Sequence, residues 1–388
     1  MKILINGSEL VTAVPWLTKL TNYRVASLGG VMITASDRVS LRSTDTDSFA
    51  TTTPAATVLD EGHALVSGRA LVAVAKELGK SEVTIASDGS TVAIERGKTR
   101  WTLPEMNADY FPAFPSLAEE MGQIPGEVLK EGLRQILPAA APRDVPDAMK
   151  LTTGVEFTFG STLTLAATDR QRIATVDLPW QPTLMHTERV MVIPEALLTL
   201  PMSILGTDEV RLHTDGNQIG FVTDRHQVFG RLFDGSFLKW RPLFPDPAKA
   251  VTTVTVDTAE LLAAVKDASV FSVVTGTKYG DHLNLTFSHD EITVDSCNKV
   301  NEDGKDGDGK TWLAPGEFIG VPISIWIQPH YLVAALNVMP GDSTVITFGA
   351  MPWNPIVLYG DGGYRHLIGT LKTRSALAWA AQREDVAA

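Results

Sequence analysis

The sequence predicts an α+β fold of three tandem modules, each with two helices packed on antiparallel sheets. A hairpin-forming string, "ASDGSTVAIERG" at residue 86, returns as "HTDGNQIGFVTD" at residue 213, an offset of 127. A strand-end string, "VSLRSTDTDS" at 39, returns as "LTLAATDRQR" at 163, an offset of 124, and more loosely as "ITVDSCNKVN" at 292. Helix-period stretches keep step with both. Solenoid repeats run to roughly 20–50 residues, so copies this long are separate domains in series.

In the first module, "SELVTAVPWLTKL" (8–20) carries apolar residues at helical spacing, with Ser8 as N-cap and Pro15 as a kink or early stop. "GRALVAVAKELG" (68–79) follows, stopped by Gly79, and Asp88-Gly89 then joins two alternating strands as a hairpin. The second module repeats the order with "GEVLKEGLRQILPAA" (126–140), "PEALLTLPMSILG" (194–206) stopped by Gly206, and the hairpin at Asp215-Gly216. The third offers "TAELLAAVKDASVF" (258–271), capped by Asp257 or Thr258, and "PHYLVAALNVMPG" (329–341). The acids of "STD" and "ATD" stand at strand ends, where an Asp side chain caps a turn. Joints rich in turn residues and proline fall at "AEEMGQIPG" and "FPDPAKAVT". The expected domains are 1–122, 123–248 and 249–374. A tail, 375–388, is expected to be disordered unless Leu377 and Trp379 fold back onto the body.

With 44% hydrophobic and 20% charged residues, the composition is that of a soluble globular protein. No apolar run is long enough for a membrane span and "MKILINGSEL" lacks a secretory core, so a cytoplasmic location is expected. The single cysteine, Cys297, excludes an internal disulfide framework and argues against a cysteine-rich zinc site. His282 and His289 flank acids on a strand pair and are expected as surface residues, not metal ligands. No cofactor is implied. A net charge of −12 excludes a surface coated for nucleic acid, though not a local basic face.

"GKDGDGKT" (Gly304–Thr311) satisfies the spacing of a phosphate-cradling loop and is the remote nucleotide-hydrolase reading. Such a loop needs a helix N-terminus after it. Here Pro315 follows closely, no capped helical pattern appears, and Asp303, Asp306 and Asp308 would repel a triphosphate. A solvated Gly/Asp connection is expected instead, and the chain is not expected to be an enzyme.

Four further segments occur in order: "LPEMNADYFPAFP" (103–115), "AATDRQRIA" (166–174), "FDGSFLKWRPLFP" (233–245) and "YRHLIGTLKT" (364–373). Together with the threefold repeat they make the chain resemble the bacterial sliding clamps, the beta subunits of DNA polymerase III. The resemblance implies half of a six-domain ring, closed by a head-to-tail homodimer around double-stranded DNA and bound without regard to sequence. It implies partners that dock by short peptides: the polymerase III alpha subunit, the clamp loader and other proteins carrying clamp-binding motifs. No membrane partner is implied.

Residue by residue, the resemblance places the peptide pocket at Thr168, Arg170, Gln171, Arg172, Ile173, Leu238, Pro242, Leu243, Leu371 and Lys372. Several depart from the family pattern. Arg170 and Gln171 stand where Gly and His are common, Leu238 where Pro is common, and Pro242 where Arg is frequent. Gly369-Thr370-Leu371-Lys372-Thr373 replaces the usual Met-Pro-aliphatic-Arg-Leu ending. These departures favour, as an alternative, a diverged paralogue from a phage, mobile element or resistance locus. The DNA-facing cations are expected among Arg24, Lys76, Lys80, Arg134 and Arg143, and an apolar dimer contact at Val270 and Phe271.

Overall fold

The computed structural model describes residues 1–25, 27–116, 118–183, 189–270, 282–296 and 310–387. Its helices, in chain order, are α1 (Gly7–Leu17), α2 (Gly68–Leu78), α3 (Gly126–Ile136), α4 (Glu195–Leu198), α5 (Thr258–Ala268), α6 (Pro329–Leu336) and α7 (Arg374–Ala387). The chain forms two compact units. One comprises Met1–Lys130, Trp180–Thr187 and Ile193–Phe233, the other Glu131–Pro179, Glu188–Val192 and Asp234–Ala388.

In the first unit the described strands build one fourteen-stranded sheet. α1 buries Leu10, Ala13, Val14 and Leu17, an i, i+3, i+4, i+7 stripe. The cap is Asn6, not Ser8: the Asn6 carboxamide oxygen accepts the Ser8 backbone N–H at 2.9 Å. The cap thus lies two residues earlier than the sequence suggests, and Gly7, the first helical residue, backs onto Leu78 and the Gly79 carbonyl, where a Cβ would sit 2.7–2.8 Å from them. Pro15 lies inside α1, which ends two residues on. α2 stops at Gly79 with φ 58°, as expected. The stretch at 194–206 gives only the four-residue α4 and a 3₁₀ turn at Pro201–Ser203. Pro201 has no N–H to donate and its ring crowds the carbonyl one turn back, so the helix cannot run through it.

The segment 118–126, where a joint is expected, contains a strand, Glu119–Pro125, in that same sheet. Its register shifts between Glu120 and Gly122, a bulge that Gly122 permits. A Cβ there would lie 2.4 Å from the Gln181 carbonyl oxygen. The first two repeats share the sheet: Ser48–Thr52 pairs with His226–Arg231, placing Phe49 opposite Phe229.

The second unit holds a nine-stranded and a four-stranded sheet among its described residues. Here the second and third repeats are joined, Arg172–Leu178 pairing with Arg365–Ile368. α5 is capped by Asp257, which accepts the Glu260 N–H at 2.8 Å. The expected disordered tail is helical over its described residues: Arg374–Ala387 forms α7, whose Ala376 N–H is capped by the Thr373 hydroxyl at 3.0 Å. "SALAWAA" has high helix propensity, and Ala376 rather than Leu377 is the buried residue.

One turn recurs in both units. At Thr44-Asp45-Thr46, Thr168-Asp169-Arg170 and Thr214-Asp215-Gly216, the Thr hydroxyl accepts the N–H two residues on, while the Asp carboxylate accepts the next two N–H groups. Ser87-Asp88-Gly89 does the same. Those N–H groups hold the exposed Asp88 carboxyl well below the usual carboxylate range. The third residue has positive φ each time: 83°, 75°, 91° and 89°. This is the capping role expected of the "TD" acids.

Of the phosphate-loop string, 304–309 lies outside the described residues, as does Cys297. Lys310 and Thr311 open a strand, Lys310–Leu313, that pairs with Ile292–Ser296. No helix N-terminus follows Gly-Lys-Thr, so the geometry a triphosphate requires is missing.

Candidate interaction surfaces

The expected peptide residues all belong to the second unit, and its nine-stranded sheet sorts them by face. Directly paired residues share a face and successive residues alternate. Glu156, Ala166, Thr175 and Arg365 form one cross-strand row, and Thr168, Ile173 and Leu367 form the next row on that face. The segment after Asp234 covers it. The Trp240 indole N–H donates to Glu156 at 2.7 Å, and the Arg365 guanidinium lies 5.5 Å from the Phe244 ring centre. Leu238 and Pro242 line a cleft of about 270 Å³ beside Glu156 and Trp240, and Leu243 closes the 3₁₀ turn Arg241–Leu243.

Arg172 serves the opposite face. Its Nε donates to Asp169 at 3.0 Å, an Nη donates to the Pro138 carbonyl, and its guanidinium stands 4.9 Å over the Tyr331 ring of α6. His366 and Tyr364 share this face, bonded at 2.8 Å. Burial, with the Arg172 charge second, pushes His366 down to about 3, so it is neutral. Burial pushes the Tyr364 phenol above its ordinary range and lowers His330.

Gln171 and Arg170 are exposed at the turn. The Gly369 N–H donates to the Gln171 carbonyl at 2.9 Å, so the C-terminal strand meets the turn by backbone. Beyond it, the Leu371 N–H goes to the Trp326 carbonyl at 2.7 Å and the Lys372 ammonium lies 4.7 Å from the Trp353 ring centre. The sequence thus gathered two groups on opposite faces of one sheet. It missed Glu156, Trp240 and Tyr331. A charge inside "GVEFTF", buried at every position, was the available signal for Glu156.

Of the expected DNA-facing cations, Arg24, Lys76 and Lys80 are exposed in the first unit. Arg24 follows Tyr23, over whose ring the Arg69 guanidinium stacks at 3.9 Å. In the second unit Arg143 and Arg134 are both exposed, and the contacts of Arg134 are defined. It holds Glu131 through two bonds of 2.6 and 2.7 Å and reaches the Asn337 and Val338 carbonyls at the end of α6. The pairing lowers the Glu131 pKa. Val270 is 58% exposed, while Phe271 lies outside the described residues. Among the described residues no His, Cys, Asp or Glu group is arranged to hold a metal, and no helix is long and apolar enough to cross a membrane.

Residues 1–115 match the family model of the DNA polymerase III beta subunit N-terminal domain, and 123–239 that of its central domain. The beta sliding clamp of Micrococcus luteus is 30% identical over 305 residues, covering 76% of this chain and 94% of that one. That of Streptomyces coelicolor is 27% identical over 386 residues, covering 95% and 98%. The crystal structure of the Bacillus subtilis DNA polymerase sliding clamp superposes with a TM-score of 0.85 at 24% identity, over 96% of this chain and 99% of that one. The chain belongs to the beta sliding clamp family, the beta subunits of DNA polymerase III, whose members are replication processivity factors without an active site of their own.

Proposed function

We propose that this chain works as a head-to-tail homodimer that closes a ring around duplex DNA in the cytoplasm and binds it without sequence preference. Its three domains are 1–122, 123–248 and 249–374, ending in the α7 segment. The ring tethers the polymerase III alpha subunit, the clamp loader and other clamp-binding-motif proteins by peptides docked on the second unit's sheet. What carries this reading is full-length kinship: relatives named as clamps align along nearly the whole chain. Val270, apolar and 58% exposed just after α5, supports an apolar contact between copies. Arg24, Lys76, Lys80 and Arg143 supply phosphate neutralisation. Native mass together with retention on circular but not linearised DNA tests the ring. A monomer at micromolar concentration, or equal retention on both DNAs, would sink it.

A diverged paralogue with an altered pocket is the second reading. It is favoured by Arg170, which holds φ 75° at a position where the family commonly has Gly. Titration of a Gln-x-x-Leu-Phe-type peptide separates the two readings, since ordinary affinity rules out the altered pocket.

A further inference from the structure

The cleft on the covered face of the second unit's nine-stranded sheet is lined by Glu156, Leu238, Lys239, Trp240, Arg241 and Pro242, among others. Trp240 is its floor, 3% exposed. Glu156 is equally buried, and its carboxylate is met from inside the protein: by the Trp240 indole at 2.7 Å, by the Thr158 hydroxyl at 3.4 Å, and by the Arg241 guanidinium at 4.0 Å. What the cleft shows to solvent is therefore cationic and aliphatic. Lys239 is exposed, Arg241 leaves 49% of its side chain in solvent, and Leu238 is 42% exposed; Leu243, next in the chain after the lining residue Pro242, is 48% exposed. Arg170 and Lys372 are exposed as well, on two segments that meet at the Gly369–Gln171 hydrogen bond. No acid stands among the ten residues expected to receive a peptide, in a chain with 45 acids against 33 Lys and Arg.

We infer that this face selects an acidic partner segment, one whose aliphatic anchors are flanked by Asp or Glu. The inference rests on the peptide-docking reading above and names the chemistry of the peptide. An aliphatic side chain entering the cleft covers Leu238 and dries the contact. Flanking carboxylates then meet Lys239 and Arg241 at its edge, where charge complementarity discriminates between partners. The whole protein, at −12, repels an acidic segment from afar. The selection is accordingly local, acting within a Debye length of about 8 Å at physiological salt. Duplex DNA carries the same sign of charge but has nothing to place on two exposed leucines, which is why a peptide is favoured over nucleic acid here.

The test uses the full-length protein and three labelled peptides with identical Leu-Phe anchors and Asp, Ser or Lys flanks, read by fluorescence anisotropy at low and high salt. The Asp-flanked peptide should bind about tenfold more tightly than the Lys-flanked one at low salt, and the gap should close at high salt as surface charges are screened. Lys239→Gln with Arg241→Gln should bring the ratio of Asp-flanked to Lys-flanked affinity close to one, whatever it does to the affinity of the Ser-flanked peptide. The wild-type salt dependence carries the test by itself if that variant does not fold. Equal affinity for all three peptides overturns the charge inference and leaves peptide docking intact. Binding of none overturns both. Displacement of the Asp-flanked peptide by a short duplex as readily as by unlabelled peptide overturns the inference too, because the face then reads charge alone.

Discussion

Arg172 and Ile173 are chain neighbours that serve opposite faces of one sheet. Ile173 lies in the row of Thr168 and Leu367, on the face covered by the segment after Asp234. Arg172 is 8% exposed on the other side, tied to Asp169, the Pro138 carbonyl and Tyr331. A peptide lying on the Ile173 face meets an apolar strand. The guanidinium beneath ties that strand to Pro138 and α6, so the effect expected of Arg172 on a peptide docked there runs through the sheet's stability.

Replacing Arg172 by Met should therefore cost folding stability. Removing one member of this largely buried pair leaves Asp169 with only its two backbone N–H donors, so the cost should fall at or below the roughly 3–5 kcal/mol of a broken buried pair. The Arg172 charge also opposes protonation of His366, so the His366 pKa should rise in the variant. Denaturant unfolding measures the first effect and imidazole NMR titration the second. An unmoved His366 pKa would place the two groups out of electrostatic reach.

His366 makes the fold acid-sensitive. Its pKa is about 3 against an ordinary 6.5, so the unfolded chain binds a proton that the folded chain refuses. Its contribution is complete above pH 6.5 and is lost progressively as pH falls from there toward 3. The slope from one such group reaches about 1.4 kcal/mol per pH unit. His366→Gln keeps a partner for Tyr364 and should flatten that share of the stability–pH curve. An unchanged slope between pH 6.5 and 4 would assign the sensitivity to carboxylates.

Arg170→Gly should stabilise the protein. A non-glycine residue at φ 75° pays about 1–2 kcal/mol, whereas glycine returns roughly 0.5–1 of that through unfolded-state entropy. A net gain of about 0.5–1 kcal/mol is expected by thermal or urea unfolding. Thr46→Gly should move in the same direction at φ 83°, and Gly216→Ala in the opposite one.

Trp240→Phe removes the indole donor to Glu156 and leaves a buried carboxylate short of a partner, a cost of about 1–3 kcal/mol. Glu156→Gln with Trp240→Phe should be less damaging than the sum of the single changes. A strictly additive cycle would show that the 2.7 Å bond contributes nothing of its own.

On DNA, Arg24→Glu should weaken binding and lower its salt dependence without unfolding the protein. Arg134→Ala should do the reverse, leaving DNA affinity nearly intact while losing stability, because its guanidinium is committed to Glu131 and the end of α6. Equal losses of affinity in both variants would restore Arg134 to the DNA surface.

The repeat, the helix stretches and the Thr-Asp turns were legible because each is a local pattern: a period, a cap, a Gly after Asp. α4 fell short of its pattern because Pro201 overrides apolar spacing. Asn6 takes the cap in place of Ser8, with Gly7 set against Leu78, a long-range approach that local spacing does not show. The face assignment of Arg172 and the role of Glu156 were not legible. Both depend on strand register between segments far apart in the chain, which spacing along one segment does not carry.

The shared sheets have a bearing on how such chains recombine. A cut at residue 122 or 248 separates repeats that look interchangeable, yet it leaves Ser48–Thr52 needing the edge of His226–Arg231, and Arg172–Leu178 that of Arg365–Ile368. Each repeat carries half of its neighbour's hydrogen-bonding ledge. A chimera that trades the middle repeat between relatives must match two foreign edges at once, and one that trades an outer repeat must match one. The sheets thus tie the repeats to one another more tightly than their likeness in sequence suggests.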